Sequence, residues 1–179
     1  MSVRLFVALD VPDDARGALA RFRDAAADPA VWRPVRDEAL HLTLAFLGHR
    51  PEEDEEAAAA VVAGLPDAAP PLRLAGALLL PPRRARVLCA DVEDVAGVLA
   101  ALQATVSDRL EAAGLYTPER RPFRPHATVA RLRTGARPPR TVEADPEALA
   151  FRGAAVTLYR SVLGREGARY EPLARRGLV

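Results

Sequence analysis

The feature that most constrains the fold of this chain is a repeated order of elements in which each copy ends in the same tetrapeptide. In the first copy, an apolar run ending at Asp10 precedes a helical pattern and then the strand-like His41-Leu-Thr-Leu44. In the second copy, Asp91 precedes a helical pattern and then His126-Ala-Thr-Val129. Such a repeat predicts two similar lobes, each presenting one His-x-Thr-apolar motif.

The remaining pattern predicts a chain that mixes helices and strands. Helices are expected after Pro12 and Pro51, where acidic residues suit a first turn, and along the apolar positions from Val95 to Leu110. Strands are expected at Leu5–Leu9, Leu40–Leu47, Leu72–Ala75, Arg86–Asp91, His126–Leu132, Ala155–Tyr159 and Arg169–Leu173, the last two joined by a turn at 164–167.

Strand alternation places the polar residues of both motifs on one face. Successive side chains of a strand point to opposite faces, so His41 and Thr43 share a face, as do His126 and Thr128. We therefore expect two imidazoles and two hydroxyls to line a cleft between the lobes. The same parity predicts that Phe46 lies in the core.

Two histidines facing one cleft suit in-line displacement at phosphorus. A neutral imidazole can take a proton from water while a protonated one supplies a proton to the leaving oxygen. Hydroxyls such as those of Thr43 and Thr128 can stabilise charge that develops on the phosphate. With seven Thr in 179 residues, two of three histidines would precede Thr at this spacing by chance in only about one chain in 200. The third histidine, His49, is predicted to be a solvated turn residue.

The composition excludes several classes of protein. The single Cys89 leaves no internal disulfide or cysteine zinc cluster, and no segment has the apolar length of a signal peptide or a membrane span. The net charge is +1, and all 25 basic residues are Arg because the chain has no Lys, so arginine clusters carry little weight by themselves. We expect a reduced cytoplasmic monomer with no membrane partner, no metal and no cofactor.

Four segments in order carry a family resemblance: Phe6-Val-Ala-Leu-Asp10, Leu40-His-Leu-Thr-Leu-Ala-Phe-Leu-Gly48, Arg121-Pro-Phe-Arg-Pro-His-Ala-Thr-Val-Ala-Arg131 and Leu158-Tyr-Arg-Ser161. They resemble the two-histidine (2H) phosphoesterases, and within them the RNA 2',3'-cyclic 3'-phosphodiesterases once called 2'-5' RNA ligases. The resemblance spans nearly the whole chain. Its one noted departure is Ala127, where a bulkier aliphatic residue is commoner.

The resemblance implies a fold, a reaction and roles for residues. It implies an α+β domain over residues 1–179, bilobal, with two pseudo-symmetric antiparallel sheets, outer helices and a central cleft. It implies hydrolysis of RNA 2',3'-cyclic phosphate ends to 2'-phosphomonoesters without a metal, with His41 as proton donor and His126 as proton acceptor. Thr43, Thr128 and Arg131 would bind the phosphate. By alternation Arg131 falls on the face opposite His126, so its side chain would have to curl round the strand end.

Several alternatives stay open at this point. The same residues could act on 2'-5' oligonucleotides or a small cyclic nucleotide. Two alternatives from other functional classes are a non-catalytic RNA-binding module and a His-ligated metal hydrolase. The sequence does not assign roles to Trp32, Phe46, Tyr159, Tyr170 or Arg124. The rings of Phe46 and Trp32 could stack on a base, although alternation favours the core for Phe46.

Overall fold

The described part of the chain forms nine strands and three α-helices, and the α+β arrangement is as predicted. The computed structural model describes residues 1–164 and 167–179. Within them the elements are β1 Ser2–Asp10, α1 Asp13–Ala26, β2 Trp32–Pro34, β3 His41–Pro51, α2 Asp54–Ala63, β4 Pro71–Leu80, β5 Val87–Asp94, α3 Val98–Ala112, β6 His126–Leu132, β7 Ala150–Arg152, β8 Ala155–Gly164 and β9 Gly167–Gly177.

The strands form one antiparallel sheet made of two halves. Its order is β7, β4, β5, β6, β3, β1, β8, β9, with β2 paired to β6. The order outward from the centre is β6, β5, β4, β7 in one half and β3, β1, β8, β9 in the other, which gives the predicted pseudo-symmetry. Leu42 and Ala127 form the one residue pair that joins β3 to β6, so the two predicted sheets are the halves of a single continuous sheet.

Each long helix packs against the central strand of the other half. Helix α1 follows β1 but contacts β6, and α3 follows β5 and contacts β3 more extensively than β5. Their buried faces are apolar, with Leu19 and Phe22 in α1 and Leu102 and Val106 in α3. This exchange buries apolar area between the halves and fixes their relative position, which a single pair of strand residues could not do alone.

The structure departs from the predicted elements in a few places. Strand β3 continues to Pro51, so His49 is an exposed strand residue rather than a turn residue. Val95 precedes α3 and is exposed. The short strands β2 and β7 carry too few residues for a periodic signal, and residues 165–166 of the predicted turn lie outside the described part. Among the described residues, no helix is long and apolar enough to span a membrane.

Candidate active site

The pairing of β3 with β6 brings the two tetrapeptides side by side. Leu42 lies opposite Ala127, and both side chains are fully buried. In an antiparallel pair the flanking residues point to the other face, so His41, Thr43, His126 and Thr128 share one face. All four side chains keep partial solvent exposure, as groups that meet a substrate require.

Each tetrapeptide has a β-bulge at its fourth residue. In β3 the register passes from Thr43 to Ala45 without Leu44, and in β6 it passes from Thr128 to Ala130 without Val129. A bulge adds one residue to a strand and shifts the alternation of faces beyond it. The extra residue stands three positions after the histidine in both strands.

The bulges correct two expectations that rested on simple alternation. Phe46 is 43% exposed and lines a cavity, so the prediction that it lies in the core was wrong. Arg131 returns to the His41 face and lines the same cavity without curling round the strand end. The sequence has consecutive apolar pairs at both places, Leu44-Ala45 and Val129-Ala130. The burial of both members of each pair depends on strand pairing rather than on local pattern.

Both histidines are anchored to the backbone through Nδ1. His41 Nδ1 lies 2.8 Å from the carbonyl oxygen of Ala39, and His126 Nδ1 lies 2.8 Å from that of Arg124. A carbonyl only accepts, so Nδ1 carries the proton in each neutral ring and Nε2 holds the lone pair. The Thr43 hydroxyl, 3.1 Å away, then donates to Nε2 of His41. Nε2 is therefore the atom that each ring offers for proton transfer.

Aromatic rings surround His41. Phe6 stacks on its imidazole at 5.0 Å between centroids, and Tyr170 meets it edge-on at 5.5 Å. Tyr159 stacks on Phe6 in turn. Such rings displace water from the imidazole, which disfavours its charged form.

Burial is the main cause that lowers the pKa of His41 to about 4; the charges of Arg131 and His126 act in the same direction, while the Ala39 carbonyl and Asp10 oppose the shift. In the free protein His41 is therefore neutral near pH 7. This state matches a proton acceptor. The donor role implied by the resemblance requires that bound substrate raise the pKa of His41.

An aspartate lies beside each histidine on the neighbouring strand. Asp10 pairs in register with His41, and Asp91 pairs with His126. This equivalence agrees with the repeat seen in the sequence, where the same two aspartates align. Each half thus presents an acid and a histidine on adjacent strands.

The two aspartates are held by different partners, which accounts for two residues left open by the sequence. Asp10 accepts hydrogen bonds from the Tyr159 hydroxyl at 2.8 Å and the Thr157 hydroxyl at 2.7 Å. Desolvation and the charge of Asp10 raise the pKa of Tyr159 to about 12, so its hydroxyl remains a donor. Arg124 is bound by Asp91 through two of its nitrogens.

The cavity beside His41 is rich in arginine. It has a volume of about 300 Å³ and is bordered by His41 and Thr43 and by four arginines: Arg4, Arg33, Arg36 and Arg131. None of the described residues that line it is Asp or Glu. Arg36 also lies 4.0 Å from a carboxylate oxygen of Glu38, outside the lining. The arginines on the lining favour the binding of an anion. The arginines of β1 and β2 carried no signal in an Arg-rich sequence.

Other candidates lie outside this cavity. His126 and Thr128 stand beside it on β6, where the Thr128 hydroxyl is 3.6 Å from the buried Cys89 thiol. Trp32 is 1% exposed and belongs to the core, which excludes it from stacking on a ligand. Within residues 1–164 and 167–179, no cluster of three or more His, Cys, Asp or Glu side chains could hold a metal ion.

Comparison with known proteins decides the family. A model of the 2'-5' RNA ligase superfamily matches residues 11–165 of the chain. The chain belongs to this superfamily. The 2H phosphoesterase resemblance seen in the sequence is thereby confirmed, and with it the expectation of an enzyme family.

Relatives within the 2'-5' RNA ligase superfamily match the chain over most of its length. An RNA 2',3'-cyclic phosphodiesterase of Escherichia coli strain K12 is 32% identical, with 98% of this chain and 97% of that protein covered. An RNA 2',3'-cyclic phosphodiesterase of Aeropyrum pernix is 32% identical, with 88% of this chain and 93% of that protein covered. The crystal structure of a Thermus thermophilus protein, TT0787, has a TM-score of 0.84 at 30% identity, covering 98% and 97%. E. coli LigT complexed with 3'-AMP has a TM-score of 0.83 at 29% identity, covering 100% and 99%.

Proposed function

We propose that this protein opens 2',3'-cyclic phosphate ends of RNA to 2'-phosphomonoesters by acid–base catalysis that needs no metal. The observation that carries the proposal is the pair of histidines anchored through Nδ1, with both Nε2 atoms left for proton transfer. The relatives named RNA 2',3'-cyclic phosphodiesterase support the choice of substrate.

In the proposed reaction, water attacks phosphorus in line with the bond to the 3'-oxygen. Nε2 of His126 takes the proton from water as the new P–O bond forms. Nε2 of His41 gives a proton to the 3'-oxygen as the P–O3' bond breaks. The threonine hydroxyls of both motifs and Arg131 hold the non-bridging oxygens, where negative charge grows.

The low pKa of His41 is compatible with its donor role if the substrate supplies the missing charge. Raising a pKa from about 4 to about 7 requires roughly 4 kcal/mol, at 1.36 kcal/mol per unit. One phosphate charge about 4 Å from the ring supplies about 4 kcal/mol at an effective dielectric constant near 20. The anionic substrate can therefore raise the pKa of His41 enough for the imidazole to take up a proton near pH 7. Arg131, once paired with phosphate, no longer disfavours the imidazolium.

The cavity supports RNA as the polymer that is bound. The arginines on its lining, Arg4, Arg33 and Arg131, suit a phosphate backbone. A 2'-5' oligonucleotide or a small cyclic nucleotide would use the same residues, so substrate comparison must separate these alternatives.

The test is to incubate the protein in EDTA with an oligonucleotide that ends in a 2',3'-cyclic phosphate and to identify the product by mass and by NMR of the terminal ribose. We expect complete conversion to the 2'-phosphate. The variants His41→Asn and His126→Asn should lose most activity, and His49→Asn, the matched control at the exposed third histidine, should keep it. Activity that EDTA abolishes and a divalent ion restores would contradict the metal-free mechanism.

A further inference from the structure

The two aspartates beside the histidines are equivalent in position but differ in how their charge is balanced. Asp10 on β1 pairs in register with His41, and Asp91 on β5 pairs in register with His126. Residues directly opposite in an antiparallel ladder point to the same face, with Cβ atoms about 5 Å apart. Each carboxylate therefore lies close enough to its imidazole to influence whether the ring carries a proton.

Asp10 keeps its charge, because the groups that hold it are neutral hydroxyls. Thr157 and Tyr159 donate to its two oxygens at 2.7 and 2.8 Å, and its side chain is only 13% exposed. Nε of Arg175 lies 3.5 Å away, beyond the usual length of an N–H···O hydrogen bond, on a side chain that is 59% exposed. Solvent weakens such a contact, so the charge of Asp10 still acts on His41.

The charge of Asp91 is balanced by an arginine. Arg124 donates to both oxygens of Asp91, from Nη2 at 2.8 Å and from Nε at 3.3 Å. A contact through two nitrogens fixes the guanidinium against the carboxylate. The charge of Asp91 therefore reaches His126 together with an opposite charge, whereas hydroxyls hold Asp10.

The other charged groups around His41 do not replace Asp10. Arg131 and His126 on β6 act against the imidazolium, and the remaining arginines of the cavity beside His41 do the same by like charge. A second cavity, of about 350 Å³, is shared by Asp10 and His41. The other titratable or charged side chains that border it or face the imidazole are Asp13, Arg16, Glu38, Tyr159, Tyr170 and Arg175. The two further carboxylates of this set are exposed and lie 3.8 and 4.0 Å from arginines, so solvent and these partners weaken their effect.

We propose that Asp10 is a positioning residue that favours the protonated form of His41 in the substrate complex, and that Arg124 cancels the same influence of Asp91 on His126. The inference rests on the proposed function, because it explains how two histidines with matching neighbours take opposite roles. The carboxylate held by hydroxyls helps His41 to act as the acid. The carboxylate neutralised by arginine leaves His126 able to accept a proton.

The first test measures kcat against pH for a dinucleotide that ends in a 2',3'-cyclic phosphate, since kcat reports the groups in the substrate complex. In Asp10→Asn the alkaline limb, which belongs to the acid, should move to lower pH by roughly 1 pH unit, the lower end of the range for an opposite charge at about 4–6 Å. Asp10→Glu, which keeps the charge, should restore the limb. Asp108→Asn, at an exposed position of α3, is the control and should leave both limbs in place.

The second test uses the more exposed pair in the other half. Arg124→Gln leaves the carboxylate of Asp91 unbalanced, so the acidic limb of the kcat profile, which belongs to the base, should move to higher pH. Adding Asp91→Asn to Arg124→Gln should return the limb to its wild-type position, which a loss of packing or of RNA contact would not do. An acidic limb that Arg124→Gln does not move would overturn the role of Arg124.

A third measurement does not depend on catalysis. By NMR of the imidazole in protein saturated with sulfate, an anion that does not itself titrate in this range, His41 should titrate at lower pH in Asp10→Asn than in wild type. The same spectra show whether the variant is folded. An unchanged midpoint in folded Asp10→Asn would overturn the role of Asp10. Failure of the wild-type protein to hydrolyse the dinucleotide would instead contradict the proposed function, and the NMR midpoints would still decide whether Asp10 acts on His41.

Discussion

Arg131 lies directly opposite Arg33 in the ladder between β6 and β2. Both side chains border the cavity, and neither has an ion-pair partner among the residues that the structure describes. Like charges in directly opposite strand positions are destabilising. A phosphate bound between the two guanidinium groups would remove this repulsion, so the pairing of Arg33 with Arg131 favours anion binding.

The first prediction follows from this pair. Arg131→Gln should raise KM for a cyclic-phosphate oligonucleotide and lower kcat/KM by roughly 10- to 150-fold, the range for about 1.5–3 kcal/mol from a hydrogen bond to a charged group. Arg137→Gln, at an exposed loop arginine outside the cavity, is the matched control and should stay near wild type. Equal changes in kcat/KM for the two variants would show that Arg131 does not contact the substrate.

The second prediction concerns the two threonines. Thr43→Ala and Thr128→Ala should each lower kcat by roughly 10- to 10³-fold, because each removes a hydrogen bond that strengthens in the transition state. Thermal unfolding should change little, since both hydroxyls face the cleft. Thr105→Ala, on the exposed face of α3, serves as the control. A wild-type kcat in either cleft variant would show that its hydroxyl takes no part in the reaction.

The third prediction separates acid from base. In a nitrophenyl phosphodiester, the nitrophenolate leaving group needs no proton for its departure. Such a substrate should partly rescue His41→Ala and leave His126→Ala inactive, as measured by release of nitrophenolate. Rescue of His126→Ala alone would mean that the two roles are exchanged. His41 is neutral in the free protein, which matches a proton acceptor, so the experiment discriminates between the two assignments.

The fourth prediction is a shift in the titration of His41. By NMR of the imidazole, the free protein should titrate with a midpoint near 4 at this residue, because burial disfavours the cation. Saturation with an oligonucleotide 2'-phosphate should raise the midpoint, since the anion lies beside Nε2. A midpoint that does not move on binding would contradict the proposal that bound substrate raises the pKa of His41 and so allows it to act as the acid.

The fifth prediction concerns stability at acid pH. The folded-state pKa of His41, about 4, is below its ordinary value of 6.5. The unfolded state therefore binds the proton first as pH falls, and stability is lost between about pH 6.5 and pH 4. Over that range, wild type should lose roughly 2–3 kcal/mol more free energy of unfolding than His41→Gln in urea titrations. Parallel curves for the two proteins would contradict a buried neutral imidazole.

Much of the fold and the placement of the two His-x-Thr motifs on one face could be predicted because each depends on local pattern. The periodicity of α3 and the alternation of β3 up to Thr43 reflect burial of one face, which a sequence records directly. The face of Phe46 could not be read this way, because a bulge depends on how β3 pairs with β1. The neutral state of His41 depends on Phe6 and Tyr170, which approach from distant parts of the chain.

The anchoring of both rings through Nδ1 has a consequence for turnover. Each imidazole can exchange a proton with the cleft only at Nε2, because its Nδ1 is hydrogen-bonded to a backbone carbonyl. A proton cannot enter at one side of the ring and leave at the other, as in a relay chain. In the proposed reaction, Nε2 of His41 must both receive its proton and pass it to the leaving oxygen, and Nε2 of His126 must both take a proton from water and later release it. Because His41 is neutral in the free protein, its proton has to arrive while an anion occupies the site, at the same atom that faces the substrate.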